Sequence, residues 1–416
     1  MKKQLLFLPF IVMGFVACST NPQTVKPELV TQRVEATKTG LVKPRKHRHK
    51  SQPEGVISVD IVNYDNRLHL LTGKHKQGQK TLWYQQSKDG GISWSSASKV
   101  LDEDNLPVKM TRGNDAQITA QGENIVVLWT KLDKTARFKA GAMLAARSND
   151  NGQTWQYSAT PPDWKQGPHG YIDLAADQQA IHAVWLDSRN SNPGVKASQG
   201  LRYAQSTDGG LSWQANISLD NLTCSCCWNT INTDAKGNAY VLYRDKQPSD
   251  LSIGRIDSQQ QWQRLNHVGA FNWQFDGCPH IGGGFDFQNT AGKKRMHAIV
   301  GTGHPQHLGI HYSYSDDAGK NWSSAIAFGD ESAIHADIAS HDNGRVMAIW
   351  DMMSEDGLAI FRSESKDQGA HWSKPEQIST AGMRATHPAI VKTEKGFLTL
   401  WTENDGKHQT LTKKVW

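Results

Sequence analysis

The chain has 416 residues, of which 46 are Lys or Arg and 40 are Asp or Glu, so its formal net charge is +6. Without Lys2 and Lys3 the charge is +4, and residues 19–54 hold eight basic against three acidic residues, a charge of +5. The remaining residues therefore carry a net charge of −1, the difference between those two values. This balance argues against a nucleic-acid-binding protein, which needs a basic face on its folded surface.

The N-terminus has the pattern of an export signal. Lys2 and Lys3 precede an apolar run over residues 5–16, which is shorter than the roughly 20 residues of a membrane-spanning helix. Cys18 directly follows "FVA", which resembles the lipobox of bacterial lipoproteins, where cleavage before the cysteine leaves it lipidated. We predict a lipoprotein signal peptide at 1–17, and in that family Ser19 favours sorting to the outer membrane. An ordinary signal peptide with a chance cysteine is the alternative.

Residues 18–54 are predicted to be a lipidated, basic and flexible tether. They are rich in Pro, Thr, Lys and Gln and have almost no aromatic residues, so they cannot bury a core. The segment "KPRKHRHK" at 43–50 would meet anionic head groups or lipopolysaccharide phosphates beside a lipid anchor. A solvated spacer is the alternative. The sequence thus predicts an exported bacterial lipoprotein anchored at the outer membrane, on its periplasmic or its cell-surface side.

Five near-copies of one polar turn recur along the chain, beginning with "SKDGGISW" at 87–94. In each copy an Asp lies five residues before a Trp; the pairs are Asp89 and Trp94, Asp150 and Trp155, Asp208 and Trp213, Asp317 and Trp322, and Asp367 and Trp372. A decayed sixth copy, "DSQQQW" at 257–262, keeps the spacing but has lost the glycine. In such a turn Asp accepts hydrogen bonds from backbone amides, Gly takes unusual backbone angles and Trp buries a large area. Five copies therefore indicate a repeated structural element rather than five active sites.

Strand-like runs precede these turns, such as "NIVVLWT" and "AIHAVWLD", and no segment has a convincing helical period. Repeats of 40–60 residues with this content are typical of a β-propeller. Seven inner strands are predicted to begin at Val56, Asn114, Gly170, Trp228, His280, His335 and His387. The fold class is thus all-β, with residues 55–416 forming a β-propeller of seven blades, or of six if the first and last units complete each other.

The repeated turns resemble the Asp-boxes, or bacterial neuraminidase (BNR) repeats, of the sialidase superfamily. The resemblance covers residues 55–416 and implies a sialidase-like propeller with the boxes in the outer hairpins, away from the functional face. It places that face at the loops that enter the inner strands and at the loops that follow the second strands. Candidate binding residues in these loops are Arg112, Arg189, Arg244, Asp245, His280, His335, Asp337, Arg384 and His387; Asp173 and Asp351 lie in the same loops.

Sialidases clamp the substrate carboxylate with three arginines and use a tyrosine nucleophile helped by a glutamate, with an aspartic acid as the proton donor. The resemblance makes Arg112, Arg244 and Arg384 the candidate clamp. Candidate catalytic residues are Tyr171, Asp115 and Asp187, with Tyr243 as a second candidate nucleophile. The arginine motif of the first blade is missing from "EGVISVDIVNYDNRL", and no Tyr–Glu pair matches the family's pattern.

Four cysteines, Cys224, Cys226, Cys227 and Cys278, precede two consecutive inner strands. In an exported protein two disulfides are expected among these four cysteines, including a bridge between Cys278 and the "CSCC" group, and the sequence does not determine which pairs form. A Cu(I) or Zn site that adds His280 is the alternative. The "CxCC" and "GCP" motifs also resemble an uncharacterised group of exported sialidase-like proteins.

The sequence leaves three classes of function open. The preferred prediction is a glycan-directed protein of the sialidase superfamily, with exo-sialidase-like glycoside hydrolysis as its possible reaction and no cofactor. A propeller that binds a glycan or protein partner without catalysis is the second class. A metal or redox site built from the cysteines and His280 is the third.

Overall fold

Antiparallel strands make up nearly all the regular structure. The computed structural model describes residues 52–189, 194–195 and 198–416. The predicted signal peptide, Cys18 and the tether up to residue 51 lie outside the described residues. Within the described ranges, a three-residue 3-10 helix at Arg137–Lys139 is the only helix. No helix there combines the length and the apolar composition that a membrane-spanning helix requires.

The strands follow one another in successive antiparallel sets. The first two sets contain β1 (Glu54–Tyr64), β2 (Arg67–Lys76), β3 (Gln79–Ser87), β4 (Ser98–Lys99), β5 (Val108–Lys109), β6 (Gln117–Gln121), β7 (Asn124–Leu132), β8 (Ala140–Ser148) and β9 (Gln156–Tyr157). The next two contain β10 (His169–Ala176), β11 (Ile181–Asp187), β12 (Ser198–Ser206), β13 (Ile217–Cys224), β14 (Thr230–Thr233), β15 (Ala239–Arg244), β16 (Leu251–Ile256) and β17 (Trp262–His267). The last contain β18 (Gly283–Thr290), β19 (Lys293–Thr302), β20 (Gly309–Ser315), β21 (Ile326–Phe328), β22 (Ala336–Ser340), β23 (Val346–Ser354), β24 (Gly357–Ser365), β25 (Glu376–Gln377), β26 (Arg384–Lys392), β27 (Phe397–Asn404) and β28 (His408–Val415).

The two ends of the described chain meet in one sheet. Glu54 and Gly55 of β1 pair in parallel with His408 and Gln409 of β28, which joins β26–β28 to β1–β4 in a seven-stranded sheet. The described strands therefore form six hydrogen-bonded sheets but contain seven inner strands: β1, β6, β10, β14, β18, β22 and β26. The blade number, seven or six, stays a prediction.

Apolar side chains pack between neighbouring sheets rather than in one central core. Val126 and Leu128 of β7, for example, contact Ile172, Leu174 and Trp185 of the following set. Four tryptophans near the ends of second strands are at most 1% exposed; they are Trp129, Trp185, Trp350 and Trp401. Each aromatic side chain of this size buries roughly 150–250 Å². This explains why the strand-like runs of the sequence end in tryptophan.

Carboxylates tie the inner strands to one another. Asp60 Oδ1 accepts a hydrogen bond from the next backbone amide in its own strand (2.8 Å), while its Oδ2 accepts the amide of Ile118 in β6 (2.6 Å). Asp173 and Asp337 repeat this arrangement toward β14 and β26. In the registers with the second strands, the equivalent positions of the seven inner strands are Asp60, Gln117, Asp173, Thr230, Gly284, Asp337 and Ala389.

The repeated polar turns lie at one edge of the propeller. In the third set, Asp187 pairs with His169 at one edge, whereas Ser206, where the turn begins, pairs with Ile181 at the other. Each turn has the same bonds: Ser87 Oγ, for instance, donates to Asp89 Oδ1 (2.8 Å). We call the edge where the inner strands begin the upper edge. The turns therefore belong to the lower edge, as the sequence predicted.

Candidate functional site

A cavity of about 190 Å³ lies at the upper edge, where inner strands from several sets begin. Most of the side chains that line it are polar or aromatic. Its polar and aromatic lining residues are Arg112, Asn114, Asp115, Gln117, Tyr171, Asp173, Trp228, Asn229, Thr230, His335, Asp337 and His387. We call this the axial cavity.

Arg112 is held in place by groups from three sets of strands. Its guanidinium donates to Asp115 Oδ1 (2.7 Å), to the carbonyl of Val59 (3.0 Å) and to the carbonyl of His387 (2.5 Å). Its Nε is buried and has no hydrogen-bond partner among the described residues. Arg112 therefore uses three of its five N–H groups to hold the cavity wall.

His335 forms a buried pair with Asp351 at the end of β23. The Nδ1 of His335 lies 2.6 Å from Asp351 Oδ2, and its backbone amide donates to Asp351 Oδ1 (3.1 Å). Asp351 is fully buried, and Thr386 Oγ1 donates to its Oδ2 (2.6 Å). Because an ionised carboxylate only accepts hydrogen bonds, this contact places the proton of the neutral ring on Nδ1 and leaves Nε2 as the basic nitrogen.

His387 stacks on His335, with ring centroids 3.8 Å apart and an angle of 21° between the planes. Its amide also donates to Asp351 (3.1 Å). Burial lowers the pKa of His387 well below its ordinary value, and the neighbouring His335 and Arg112 lower it further. The side chains of His335, Asp351 and His387 could also hold a metal ion by distance alone. Parallel stacked imidazoles, however, do not direct their lone pairs toward one ion.

Trp228 lies against this histidine pair. Its ring centroid is 5.3 Å from that of His335 and 6.1 Å from that of His387. Any Cβ at Gly282 would overlap the indole, so the absence of a side chain there makes room for it. Trp228 thus brings a large aromatic surface to the axial cavity.

The carboxyl groups of the inner strands have raised pKa values near the cavity. Burial raises the pKa of Asp60 to about 7 and that of Asp337 to about 6, in both cases against backbone hydrogen bonds that lower it. Burial raises the pKa of Asp173 well above its ordinary value, and the charge of Asp60 adds to this effect. When the side-chain amide of Gln117 is oriented so that both its oxygen and its nitrogen have hydrogen-bond partners, the nitrogen donates to Asp173 Oδ1 (3.0 Å) and to Asp60 Oδ2 (3.2 Å). The cavity lining thus includes two carboxyl groups with raised pKa values, Asp173 and Asp337.

The structure brings together six of the predicted site residues. These lie in the lining of the axial cavity: Arg112, Asp115, Tyr171, His335, Asp337 and His387. The other predicted site residues do not contribute to it: Asp187, Arg189, Arg244, Asp245, His280 and Arg384.

The three-arginine clamp is not formed. Arg244 is 1% exposed, and its guanidinium donates to the carbonyls of Ile281 (3.0 Å), Gly301 (2.6 Å) and Ser249. Because the N–H groups of the Arg244 guanidinium already donate to these carbonyls, they are not available to a substrate carboxylate. Arg384 is exposed at the start of β26, apart from the cavity lining.

The remaining predicted residues have structural partners. Asp187 is fully buried and accepts hydrogen bonds from Trp185 (3.1 Å) and Arg189 (2.8 Å). Asp245 pairs with Arg264 and lies 3.4 Å from His267. These carboxylates balance buried or partly buried cations rather than facing the cavity.

Tyr171 lines the cavity, but its surroundings differ from those of a sialidase nucleophile. Its ring packs against the cysteines, and burial raises its pKa above the ordinary value of a tyrosine. The described cavity lining contains no glutamate to assist it. Tyr243, the second candidate, is buried in the core with its hydroxyl 3.2 Å from Asp220.

One predicted disulfide is confirmed, between Cys226 and Cys278. The expectation of a second disulfide is wrong, because Cys224 and Cys227 are buried free thiols with their sulfurs 3.1 Å apart. A hydrogen bond from Cys227 lowers the pKa of Cys224 to about 7, whereas burial raises the pKa of Cys227. His280 is exposed, and its Nδ1 lies 3.1 Å from the carbonyl of Cys226. A metal site at these cysteines would require reduction of the disulfide.

Comparisons with known proteins show the fold. No known family and no curated protein matches the chain. A solved polysaccharide lyase, the PL25 ulvan lyase bound to -[GlcA(1-4)Rha3S]-, is 9% identical with a TM-score of 0.57; the match covers 87% of this chain and 96% of the lyase. The chain is an all-β, sialidase-like propeller.

Two sialidases also match this propeller. Trypanosoma rangeli sialidase in complex with sialic acid is 12% identical over 76% of this chain, with a TM-score of 0.48. The Hadza microbial sialidase Hz136 is 12% identical, with a TM-score of 0.46; the match covers 80% of this chain and 73% of that sialidase. The propeller spans about half the length (55%) of the Trypanosoma sialidase. At these identities the likeness is one of fold alone.

Sequence reasoning missed Trp228, Asn229 and Gln117 as members of the cavity lining. The signal for Gln117 was present, because an Asp or Gln precedes Ile or Leu at the same point of four inner strands. Asp60, Asp173 and Asp337 are three of these positions. Trp228 was predicted to begin an inner strand, as His335 was, but only the path of the loop after the cysteines brings its ring to the cavity.

Proposed function

We propose that this propeller is a glycan-directed protein that binds a saccharide at the axial cavity, with His335 as the acid–base group. The observation that carries the proposal is the pairing of His335 with Asp351 beside the indole of Trp228. Aromatic faces pack against apolar ligand surfaces, and polar groups around them fix the orientation of a ligand. The lyase that shares this fold was solved with a bound saccharide, so saccharides are the first class of ligand to screen.

The chemistry of His335 follows from its partner. The carboxylate of Asp351 accepts the Nδ1 proton and stabilises the imidazolium that forms when Nε2 takes a proton. Asp337, whose pKa is raised to about 6, also lines the cavity and exchanges protons near neutral pH. A histidine oriented by a buried carboxylate and an aspartate with a raised pKa fit general acid–base catalysis of glycan cleavage.

Exo-sialidase-like hydrolysis is the narrower hypothesis, and the site gives it less support. The clamp expected from the resemblance would need Arg244 and Arg384 in the cavity, but Arg244 is committed to backbone carbonyls. A saccharide-binding propeller without catalysis keeps the same cavity and the same role for Trp228. A measurement of glycan cleavage distinguishes the hydrolase from the non-catalytic binding protein, whereas a measurement of binding does not.

The experiment is a screen of the purified chain against sialosides, uronate-containing oligosaccharides and neutral oligosaccharides, with binding and bond cleavage measured separately. His335→Asn is the informative variant, because its amide nitrogen lies where Nδ1 does and keeps a donor for Asp351 while Nε2 is removed. His371→Asn in a lower-edge turn is the matched control, since the His371 side chain is 81% exposed. We expect His335→Asn to bind without turnover. Cleavage at the wild-type rate would refute the acid–base role, and failure of every saccharide to bind would refute the proposal.

The proposal extends to location. An export signal at 1–17 and lipidation at Cys18 would attach residues 55–416 to the outer membrane through the basic tether. Fractionation of cells that express the wild type and Cys18→Ala tests this. The wild type is expected in the membrane fraction and the variant outside it, and equal membrane association of the two would contradict the lipid anchor.

A further inference from the structure

Four cysteines from two loops form a continuous path of sulfur atoms that the proposed glycan site does not use. Cys224 Sγ lies 3.1 Å from Cys227 Sγ and 3.6 Å from Cys226 Sγ, and Cys226 is bonded to Cys278. Cys224, Cys226 and Cys227 are at most 5% exposed, whereas Cys278 is exposed. The path therefore runs from a buried dithiol through a disulfide to the protein surface.

We propose that these four cysteines are an internal thiol–disulfide exchange site, in which the buried Cys224/Cys227 dithiol reduces the Cys226–Cys278 disulfide. Exchange requires a thiolate in contact with a disulfide sulfur, and Cys224 meets this condition at Cys226. The Cys-x-x-Cys spacing of Cys224 and Cys227 is that of dithiols that cycle between two oxidation states. The proposal is independent of the glycan site.

The exchange has two steps, and it needs no external oxidant. In the first, the Cys224 thiolate attacks Cys226 Sγ; the Cys224–Cys226 bond forms, the Cys226–Cys278 bond breaks, and Cys278 leaves as a thiolate that takes up a proton. In the second, the Cys227 thiolate attacks Cys224 Sγ, and Cys226 leaves and is protonated. The Cys224/Cys227 pair is oxidised by two electrons and the Cys226/Cys278 pair is reduced by two.

The surroundings of the dithiol favour the first step. Cys227 remains a thiol that donates to Cys224, and the guanidinium of Arg244 contributes a positive charge to both. Arg244 is fixed by backbone carbonyls, so its charge is held at this site rather than offered to a substrate. An external thiol or disulfide reaches the path at Cys278 because that residue alone among the four is exposed.

The test starts from the full chain purified without reductant, and peptide mass spectrometry first records which of the four cysteines are bonded. N-ethylmaleimide is then added, and mass spectrometry of peptides identifies the disulfide and the modified cysteines after increasing times. Modification of Cys278 withdraws it from the exchange. In the wild type we expect the Cys226–Cys278 disulfide to disappear and a Cys224–Cys227 disulfide to accumulate, with Cys278 modified.

Two variants separate the steps. Cys224→Ser removes the attacking sulfur, so the Cys226–Cys278 disulfide should persist and Cys278 should stay unmodified. Cys227→Ser removes the resolving sulfur, so a Cys224–Cys226 disulfide should accumulate instead. Circular dichroism checks that both variants fold, and the wild-type result stands without them. A wild-type Cys226–Cys278 disulfide that persists while Cys224 and Cys227 are modified would overturn the proposal.

Discussion

Replacing Asp60 by Asn changes how the stability of the propeller depends on pH. Burial raises the pKa of Asp60 from 3.8 to about 7, so the folded protein keeps this proton between pH 4 and pH 7 while the unfolded chain releases it. The stabilisation is complete below about pH 4 and is lost as pH rises through about 7. Asn carries no proton to lose, so the variant lacks this dependence.

The magnitude follows from the difference in pKa. At about 1.4 kcal/mol for each unit of pKa, a difference of about three units corresponds to roughly 4 kcal/mol of unfolding free energy between pH 4 and pH 8. A side-chain amide fits this position, because Gln117 occupies the equivalent place in β6. At pH 4 the protonated carboxyl and the amide are close analogues, so the two proteins should agree within about 1 kcal/mol.

The assay is denaturant unfolding at pH 4, 6 and 8, with thermal unfolding as the second measure. For a folded part of about 360 residues the unfolding entropy is about 0.8 kcal/mol/K, so 4 kcal/mol corresponds to a Tm higher by about 5 °C in Asp60→Asn at pH 8. Asp65→Asn in the exposed turn between β1 and β2 is the control, with no expected change. An Asp60→Asn effect of equal size at pH 4 and pH 8, or a less stable variant at pH 8, would refute the reasoning.

Three other predictions concern the site, the disulfide and the lower edge. Asp351→Asn removes the carboxylate that orients His335, so saccharide turnover should fall at least about a hundredfold while binding is kept; unchanged kcat would contradict the proposed pair. Cys278→Ser opens a loop whose ends are 52 residues apart, which should lower the unfolding free energy by about 4 kcal/mol under oxidising conditions, and an unchanged denaturation midpoint would contradict this. Asp367→Ala removes the turn's hydrogen bonds from the amide of His371 (2.9 Å) and from Ser365 (2.8 Å), so Tm should fall by a few degrees, roughly 1–2 kcal/mol, with unchanged saccharide binding. Loss of binding there would contradict a purely structural role.

The fold was predictable because its signals are local and repeated. The spacing of Asp367 and Trp372 recurs in five turns, and each copy needs only its own backbone amides and one aromatic ring. The grouping of Cys278 with the "CSCC" loop was also predictable, because both precede neighbouring inner strands. The choice of Cys226 as its partner depends on the path of that loop, which no spacing determines.

The site was only partly predictable, because the direction of a loop side chain depends on which acceptors surround it. Arg244 follows the same pattern as the other upper-edge residues, but three backbone carbonyls from separate segments of the chain accept hydrogen bonds from its guanidinium. His335 was found because it begins an inner strand. Its pairing with Asp351 requires the register of β22 and β23, in which Ala336 lies opposite Trp350.

The most direct test of the account is saccharide binding to the wild type and to Trp228→Ala, measured by NMR with the same panel of sialosides, uronate oligosaccharides and neutral oligosaccharides. The account predicts that at least one saccharide binds the wild type and that its affinity falls about tenfold or more in the variant, equivalent to about 1.4 kcal/mol. Undiminished affinity in Trp228→Ala, or no binding by any member of the panel, would contradict the assignment of the axial cavity as the functional site.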